Sequence, residues 1–160
     1  MELKFIADAN VGKLARWLRI MGHDTAFFTG IADSKLVQIA LNEDRVILTR
    51  DTQIMERKLI VNRKIKAVLI RGDLLPGQIR QVLSELGIVN SLNAFSRCIE
   101  CNTILTPKSR EKVKALVPIY VFQTQNNYMQ CSECERVYWK GTHWQEMNKK
   151  METFLTFYAR

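Results

Sequence analysis

Over about the first 90 residues, short apolar runs alternate with stretches in which apolar residues recur at spacings of three and four. The short runs are typical of buried strands, and the spaced stretches are typical of helices that pack on a sheet. Strands alternating with helices predict an α/β fold with an open, mostly parallel sheet flanked by helices. The predicted strands fall at residues 3–7, 25–28, 46–48 and 67–70, and the predicted helices carry Leu14–Met21, Leu36–Leu41 and Ile79–Leu86.

The pattern changes after about residue 95. All four cysteines lie between residues 98 and 134, and three segments of strand-forming composition replace the alternation, namely Ile119–Phe122, Tyr128–Gln130 and Val137–Trp139. The tail from His143 to Tyr158 has the spacing of an amphipathic helix, with one apolar stripe formed by Met147, Met151, Phe154, Leu155 and Tyr158. We therefore predict two domains, residues 1–94 and residues 95–160.

Composition excludes several classes of protein. Of the 160 residues, 47% are apolar and 25% are charged, with only 7 Gly and 3 Pro, so the chain is expected to form a core. The apolar runs are far shorter than the roughly 20 residues of a membrane helix. Charges at Glu2, Lys4 and Asp8 interrupt the segment where a secretion signal would lie. We expect a soluble, cytoplasmic protein with no membrane partner.

The chain carries a formal net charge of +8, from 24 Lys and Arg against 16 Asp and Glu. A division at residue 94 leaves an equal positive excess on each side, so no basic tail accounts for the charge. A distributed excess suits a protein that binds a polyanion, because neutralising phosphates provides affinity that does not depend on sequence. Solubility alone would also explain it.

The cysteines form two C-x-x-C pairs, Cys98 with Cys101 and Cys131 with Cys134, separated by 29 residues. Each pair can form a knuckle whose thiolates point at one centre, and two knuckles provide the tetrahedral sulfur set that zinc prefers. Two disulfides, a redox pair and a rubredoxin-type iron centre are the alternatives, of which disulfides are disfavoured in a reducing cytoplasm. A closed four-thiolate site leaves no position for water, so we predict a structural zinc.

Acidic residues follow three of the predicted strands. Asp8 follows the first strand, Asp51 the third and Asp73 the fourth. In an open α/β sheet the functional crevice lies at the carboxyl ends of the strands, so Asp8 and Asp51 converge if their strands are neighbours. Carboxylates with room for water are what Mg²⁺ or Mn²⁺ needs when it activates water against a phosphodiester. The alternative is that these aspartates cap the helices that follow them.

Other charged residues are secondary candidates. Asp33 is expected to cap a helix and Glu43 to be a solvated residue at a helix end. Four basic residues close in sequence to Asp8 and Asp51 could contact a substrate phosphate, although two of them, Arg16 and Arg19, fit the solvated face of a helix equally well. These four are Lys13, Arg16, Arg19 and Arg50. We expect His23 to lie in a surface loop.

Several strings resemble the Mut7-C family. The opening signature is Phe5–Asp8, then Gly12–Arg19, then Gly22–Thr25, and Arg45–Asp51 resembles the second signature. The zinc-ribbon half of the family is similar to Ser96–Cys101, Cys131–Cys134, Tyr138–Trp139, Gly141 and His143–Trp144. The resemblance runs from about residue 4 to about residue 150.

The resemblance implies a PIN-like nuclease domain followed by a zinc ribbon. PIN-like nucleases gather acidic residues around one or two divalent ions and hydrolyse single-stranded RNA. Carried over to this chain, the first acid of the family falls on Asp8 and the acid of its threonine-arginine-aspartate motif on Asp51. Asp33 ranks third, because related families place an acid at that helix start, and Glu43 and Asp73 follow it.

Three functional hypotheses follow. The first is a Mg²⁺- or Mn²⁺-dependent ribonuclease, more an endonuclease than an exonuclease, whose zinc ribbon helps to grip RNA by charge and stacking. The second is a non-catalytic RNA-binding protein in which the acids are only helix caps. The third is a toxin-like or regulatory protein whose partner masks the cleft.

Overall fold

A computed structural model describes residues 2–89 and 93–156. Four parallel strands form a central sheet in the order β2-β1-β3-β4. Their bounds are β1 Lys4–Ala7, β2 Thr25–Phe27, β3 Arg45–Thr49 and β4 Ala67–Leu69. The expected α/β fold is confirmed, and so is the side-by-side placement of the first and third strands.

Five helices surround this sheet in the first part of the chain. They are α1 Gly12–Ile20, α2 Asp33–Glu43, α3 Thr52–Met55, α4 Lys58–Val61 and α5 Leu75–Glu85, and a short 3-10 turn, Ala9–Val11, precedes α1. The sequence predicted the three longer helices. Contrary to expectation, Asp33 does not cap α2, because Ala32 occupies the cap position and Asp33 is the first residue of the helix.

Apolar residues fill a core on each face of the sheet. Successive strand residues point to opposite faces, so Phe5 and Ala7 pack with α1 and α5, whereas Ile6 packs with α2 on the other side. The strongest helix periodicities in the sequence therefore correspond to the buried stripes of α1, α2 and α5.

His23 lies inside this packing rather than on the surface, which corrects the prediction. It is 7% exposed and makes an edge contact with the ring of Phe5. The preceding residue, Gly22, has a φ of +94° and lies directly against the Asn93 backbone, since a Cβ there would be 2.3 Å from the Asn93 carbonyl oxygen.

The second part of the chain forms a smaller module around an antiparallel sheet in the order β5-β6-β7. Its elements are β5 Thr106–Lys108, α6 Arg110–Val113, α7 Ile119–Thr124, β6 Tyr128–Gln130 and β7 Val137–Tyr138. The predicted strand at Ile119–Phe122 is wrong, because this segment is the helix α7. Pro118 precedes it, and only Val121 of α7 is fully buried, in a small core with Val113 and Tyr128.

The last helix, α8 Thr142–Thr156, packs back on the first module. Met151 and Phe154 are buried in the core that α1 and α5 line, and the Phe154 ring lies edge-on to Trp17 with centroids 5.1 Å apart. The predicted division at residue 94 assigns this helix to the second domain, whereas its buried side chains belong to the core of the first. Tyr158, the last residue of the predicted stripe, lies outside the described residues.

The two modules are joined by hydrogen bonds as well as by α8. The side-chain N–H of Asn102 donates to Asp24, and the side-chain Oδ1 of Asn102 accepts from the backbone N–H of Thr25 at 2.9 Å. Arg97 donates to the backbone carbonyl oxygen of Gly22 in the first module and to that of Asn102 in its own module. Within the described ranges, no helix is long and apolar enough to cross a membrane.

Candidate functional site

Asp8 lies directly after β1, at the carboxyl edge of the parallel sheet. Its backbone N–H donates to the carbonyl oxygen of Leu48 at 2.9 Å, which continues the pairing of β1 with β3. Its Oδ1 accepts from the N–H of Ala9 at 2.8 Å, so Asp8 caps the 3-10 turn. Its Oδ2 accepts from the Thr49 hydroxyl at 2.8 Å and from the Asn10 amide at 3.2 Å. The carboxylate is therefore held in one orientation by three donors.

Thr49, the last residue of β3, connects Asp8 to Asp51. While its hydroxyl donates to Asp8, its Oγ1 accepts from the backbone N–H of Asp51 at 3.0 Å. Asp51 in turn caps α3, with Oδ1 accepting from the N–H of Gln53 at 2.8 Å. Thr49 is fully buried, so one hydroxyl positions both aspartates at neighbouring strand ends.

Asp8 and Asp51 follow neighbouring strands, and each also caps the turn or helix that comes after it, as the alternative predicted. Each cap uses Oδ1 of its aspartate. Within residues 2–89 and 93–156, Oδ2 of Asp51 accepts no hydrogen bond from the protein. Each aspartate is only partly buried, so the capping role leaves acceptor capacity for a further ligand.

Sequence reasoning missed Thr49 and Asn10 as parts of this edge. Asn10 donates to Asp8 and accepts from the backbone N–H of Arg50 at 3.2 Å, which ties the loop after β1 to the loop after β3. The available signal was a polar residue ending a buried strand, Thr49, and an amide two positions after Asp8. Neither residue could be assigned a partner without the strand register.

The other candidate acids lie in two different places. Asp73 follows β4 and accepts from Arg50 at 2.7 Å, and Asp33 at the start of α2 lies 3.9 Å from Arg57. Both are on loops or helix starts at the carboxyl edge of the sheet. Glu43, by contrast, ends α2 and pairs with Arg45 at the amino end of β3, so it lies at the opposite edge from Asp8.

The four basic candidates differ in how exposed they are and in their partners. Lys13 is exposed in the first turn of α1, and Arg50 is partly exposed beside Asp73. Arg16 is half-exposed and pairs with Glu100 at 3.0 Å. Arg19 is 6% exposed and donates to the carbonyl oxygens of Thr25, Ile99 and Glu100. Arg19 therefore joins the two modules and is not available to a substrate phosphate.

The four cysteines converge. Their sulfur atoms all lie within 4.8 Å of one another, and the Sγ atoms of Cys98 and Cys134 are 3.6 Å apart. A disulfide would require about 2.05 Å, whereas sulfurs on a tetrahedral zinc with Zn–S of about 2.3 Å lie about 3.8 Å apart. The group could hold a zinc ion. It is the one set of three or more His, Cys, Asp and Glu ligand atoms that converges within the described part of the chain.

Hydrogen bonds orient these sulfurs. The N–H of Cys101 donates to Cys98 Sγ at 3.4 Å, the N–H of Glu133 donates to Cys131 Sγ at 3.4 Å, and the Tyr138 hydroxyl lies 3.2 Å from Cys98 Sγ. Burial raises the pKa of Cys98, but the hydrogen bonds from Tyr138 and from two backbone N–H groups outweigh it, so the pKa falls to about 7. Burial and the neighbouring thiols raise the pKa of Cys101 to about 12. Four thiols so close together cannot all ionise unless a cation offsets their charge.

Comparison with known proteins identifies the family. The family model described as the Mut7-C RNAse domain matches residues 3–151, which is nearly the whole chain. Comparisons with curated proteins and with solved structures gave no match. The family match implies a ribonuclease-type function with RNA as the substrate. On the strength of that match, the chain belongs to the Mut7-C RNAse domain family.

Proposed function

We propose that the protein is a Mg²⁺- or Mn²⁺-dependent ribonuclease that hydrolyses single-stranded RNA at the edge formed by Asp8 and Asp51. In this proposal residues 1–94 are a PIN-like nuclease domain and residues 95–160 a zinc-ribbon domain that aids RNA binding. The observation that carries it is the buried hydroxyl of Thr49, which contacts Asp8 Oδ2 and the Asp51 N–H in a chain of the Mut7-C RNAse family.

The donor set fits a hard divalent ion. Asp8 and Asp51 supply carboxylate oxygens at adjacent strand ends, with Asn10 close by. Mg²⁺ keeps several waters and is commonly bound by one or two carboxylates together with substrate phosphates, so two aspartates suffice. Bound there, the ion would lower the pKa of a water molecule and offset charge on the phosphate.

The chain's own residues have distinct roles in this proposal. Thr49 and Asn10 are positioning residues, since they fix the Asp8 carboxylate in one rotamer. Lys13 and Arg50 place positive charge beside the edge, where it would attract and orient an RNA phosphate. Asp33, Asp73 and Glu43 stay outside the metal set, the first two because arginines pair with them and the third because it lies at the opposite edge.

Endonucleolytic action is part of the proposal. The residues next to the two aspartates in sequence, Ala9, Asn10 and Arg50, are exposed. An RNA strand can therefore lie across the edge without threading an end into it. A circular single-stranded RNA distinguishes the two modes, because only an endonuclease can open it.

Cleavage of labelled single-stranded RNA with added Mn²⁺ tests the function. We expect Asp8→Asn and Asp51→Asn to lose at least about 100-fold in rate, since losing mere supporting partners of metal ligands already costs 10- to 100-fold. Asp44→Asn is the matched control, because Asp44 is exposed at the amino edge of the sheet. Equal cleavage by wild type and Asp51→Asn would indicate a contaminant and refute the assignment.

The non-catalytic alternative draws support from the capping bonds of Asp8 and Asp51. A protein that only binds RNA would keep those caps and show no cleavage in any variant. Binding of RNA by wild-type protein that is inactive with both Mg²⁺ and Mn²⁺ would establish that alternative.

A further inference from the structure

A large groove lies along the ribbon, and α1 of the first module borders it. Its volume is about 1080 Å³, and its walls come from α1, from the segment around Phe95 to Glu100, from β6 and β7, and from the start of α8. We call it the ribbon groove. It is distinct from the edge that carries Asp8 and Asp51, since neither aspartate lines it.

The charge of the ribbon groove is strongly positive. Five Lys and Arg side chains line it, and the one carboxylate among its lining residues, Glu100, is paired with Arg16. The five are Arg16, Arg97, Lys108, Arg136 and Lys140. In addition, α8 begins in the groove, so the unpaired N–H groups of its first turn add a partial positive charge. The groove thus complements a chain of anionic groups rather than a single acid.

Aromatic rings are interleaved with these charges. Trp144 and Phe95 pack with ring centroids 4.9 Å apart, and the Lys140 ammonium lies 5.2 Å from the centroid of Trp144. Trp139 also lines the groove, with its indole nitrogen against Gly141. Trp139 and Trp144 are only partly buried, so part of each ring borders the groove. Rings between cations are how proteins hold unpaired bases and their phosphates.

Helix α1 connects the groove to the acidic edge. Lys13 and Arg16 are three positions apart and are therefore neighbours on the helix surface, separated by about one turn of roughly 5.4 Å. Lys13 is in the turn nearest Asp8, whereas Arg16 lines the groove. The two side chains form a positive path from one site to the other.

We propose that the ribbon groove binds a single-stranded stretch of the RNA substrate beside the cleaved bond, with bases on Trp144 and Trp139 and phosphates on Arg136, Lys140 and Arg16. This inference rests on the proposed function, which places the cleaved bond at Asp8 and Asp51. The affinity of the groove for RNA, however, can be measured without catalysis. A single strand is favoured because stacking needs base faces that a duplex keeps covered.

Binding of a labelled single-stranded RNA of about 16 nucleotides, the upper range of such site sizes, tests the proposal. Full-length Asp51→Asn protein with its zinc retained serves as the background, and fluorescence anisotropy is the readout. We expect the double variant Arg136→Gln/Lys140→Gln to bind roughly tenfold more weakly, with a salt slope smaller by about 0.7 for each lost phosphate contact. The matched control is Lys64→Gln/Lys66→Gln, which removes two exposed charges outside the groove.

The stacking contribution is tested at Trp144. We expect Trp144→Leu to weaken binding about tenfold and Trp144→Phe to restore most of it, because base-aromatic stacking tolerates a change of ring. Melting temperature and zinc content of each variant report whether it folds. If Trp144→Leu does not fold, the charge variants, which lie on the surface, decide the matter.

Distinct outcomes would overturn the inference. Equal weakening by the groove variants and by the control would place RNA elsewhere. A poly-glutamate peptide that competes as well as RNA, with no effect of Trp144→Leu, would favour an acidic peptide as the occupant. Wild-type cleavage of RNA decides the proposed function separately, so failure of one does not imply failure of the other.

Discussion

The hydroxyl of Thr49 donates to Asp8 Oδ2 at 2.8 Å while accepting from the N–H of Asp51 at 3.0 Å. This bridge depends on the pairing of β1 with β3, which places Ala7 opposite Leu48 and so brings the two strand ends to the same level. A single buried side chain therefore couples two aspartates that are 43 positions apart in the sequence.

Replacing the bridge tests its role directly. We expect Thr49→Val, which keeps the side-chain shape, to lower RNA cleavage 10- to 100-fold, as loss of a metal ligand's supporting partner does. The loss of two hydrogen bonds in a buried position should also lower the free energy of unfolding by about 1–3 kcal/mol. Cleavage rate and urea denaturation are the measurements.

Thr25→Val is the matched control for that variant. Thr25 is equally buried, and its hydroxyl donates to the His23 carbonyl oxygen at 3.1 Å and not to Asp8 or Asp51. It should cost a similar stability but leave the cleavage rate nearly unchanged. A Thr49→Val protein as active as Thr25→Val would show that the bridge has no catalytic importance.

Metal content tests the cysteine group. We expect reduced protein to carry one zinc per chain, and Cys98→Ser to lose it together with a large part of its thermal stability, because structural zinc contributes to folding. Tyr138→Phe should keep the zinc, since it removes only a hydroxyl beside Cys98. Elemental analysis that finds no stoichiometric metal in a fully folded protein would refute the zinc assignment.

Substitution of Arg19 tests whether this arginine is structural or binds the substrate. Arg19→Met leaves three backbone carbonyl oxygens without their charged donor, and we expect a loss of about 3 kcal/mol in the free energy of unfolding. Arg16→Met, at a half-exposed ion pair, should cost less than about 1 kcal/mol. If Arg19→Met were as stable as Arg16→Met and instead raised the KM for RNA, Arg19 would be a substrate contact after all.

Because His23 is buried, we expect the free energy of unfolding to fall in mild acid. Burial lowers its pKa, and within the described residues its Nε2 has no hydrogen-bond partner. Below about pH 6.5 the unfolded chain binds a proton that the folded protein does not, so stability falls as pH decreases, by at most about 1.4 kcal/mol per pH unit. Urea denaturation across this range should show a shallower pH dependence for His23→Gln than for wild type. The exposed His143→Gln is the control, and identical pH dependence in all three proteins would contradict the prediction.

Much of the site could be predicted because its signals are local. The apolar runs of β1 and β3 end visibly at Asp8 and at Thr49–Asp51, and the spacing within each cysteine pair limits where the thiols can point. The bridge through Thr49 could not be predicted, because it depends on the strand order and on the register of two strands that are distant in the sequence.

Two of the differences from expectation, at Arg19 and in α7, share a cause, because contacts outside the local segment decide the outcome. Arg19 shares the buried stripe of α1 with Ala15, yet two of its acceptors belong to the first cysteine knuckle, about 80 positions later. In α7, β-branched and aromatic residues favoured a strand, but the carbonyl oxygens of Val121 and Phe122 accept from Tyr128 and Arg110, which hold the segment from outside. Local propensity cannot anticipate such contacts.

The most direct test of the central claim is a crystal structure of the protein soaked in Mn²⁺, with anomalous scattering used to locate the ion. We predict a manganese peak in contact with the carboxylates of both Asp8 and Asp51, which is lost in Asp51→Asn. A well-diffracting crystal of wild-type protein that shows no manganese at these two side chains, or shows it only at other residues, would contradict the account.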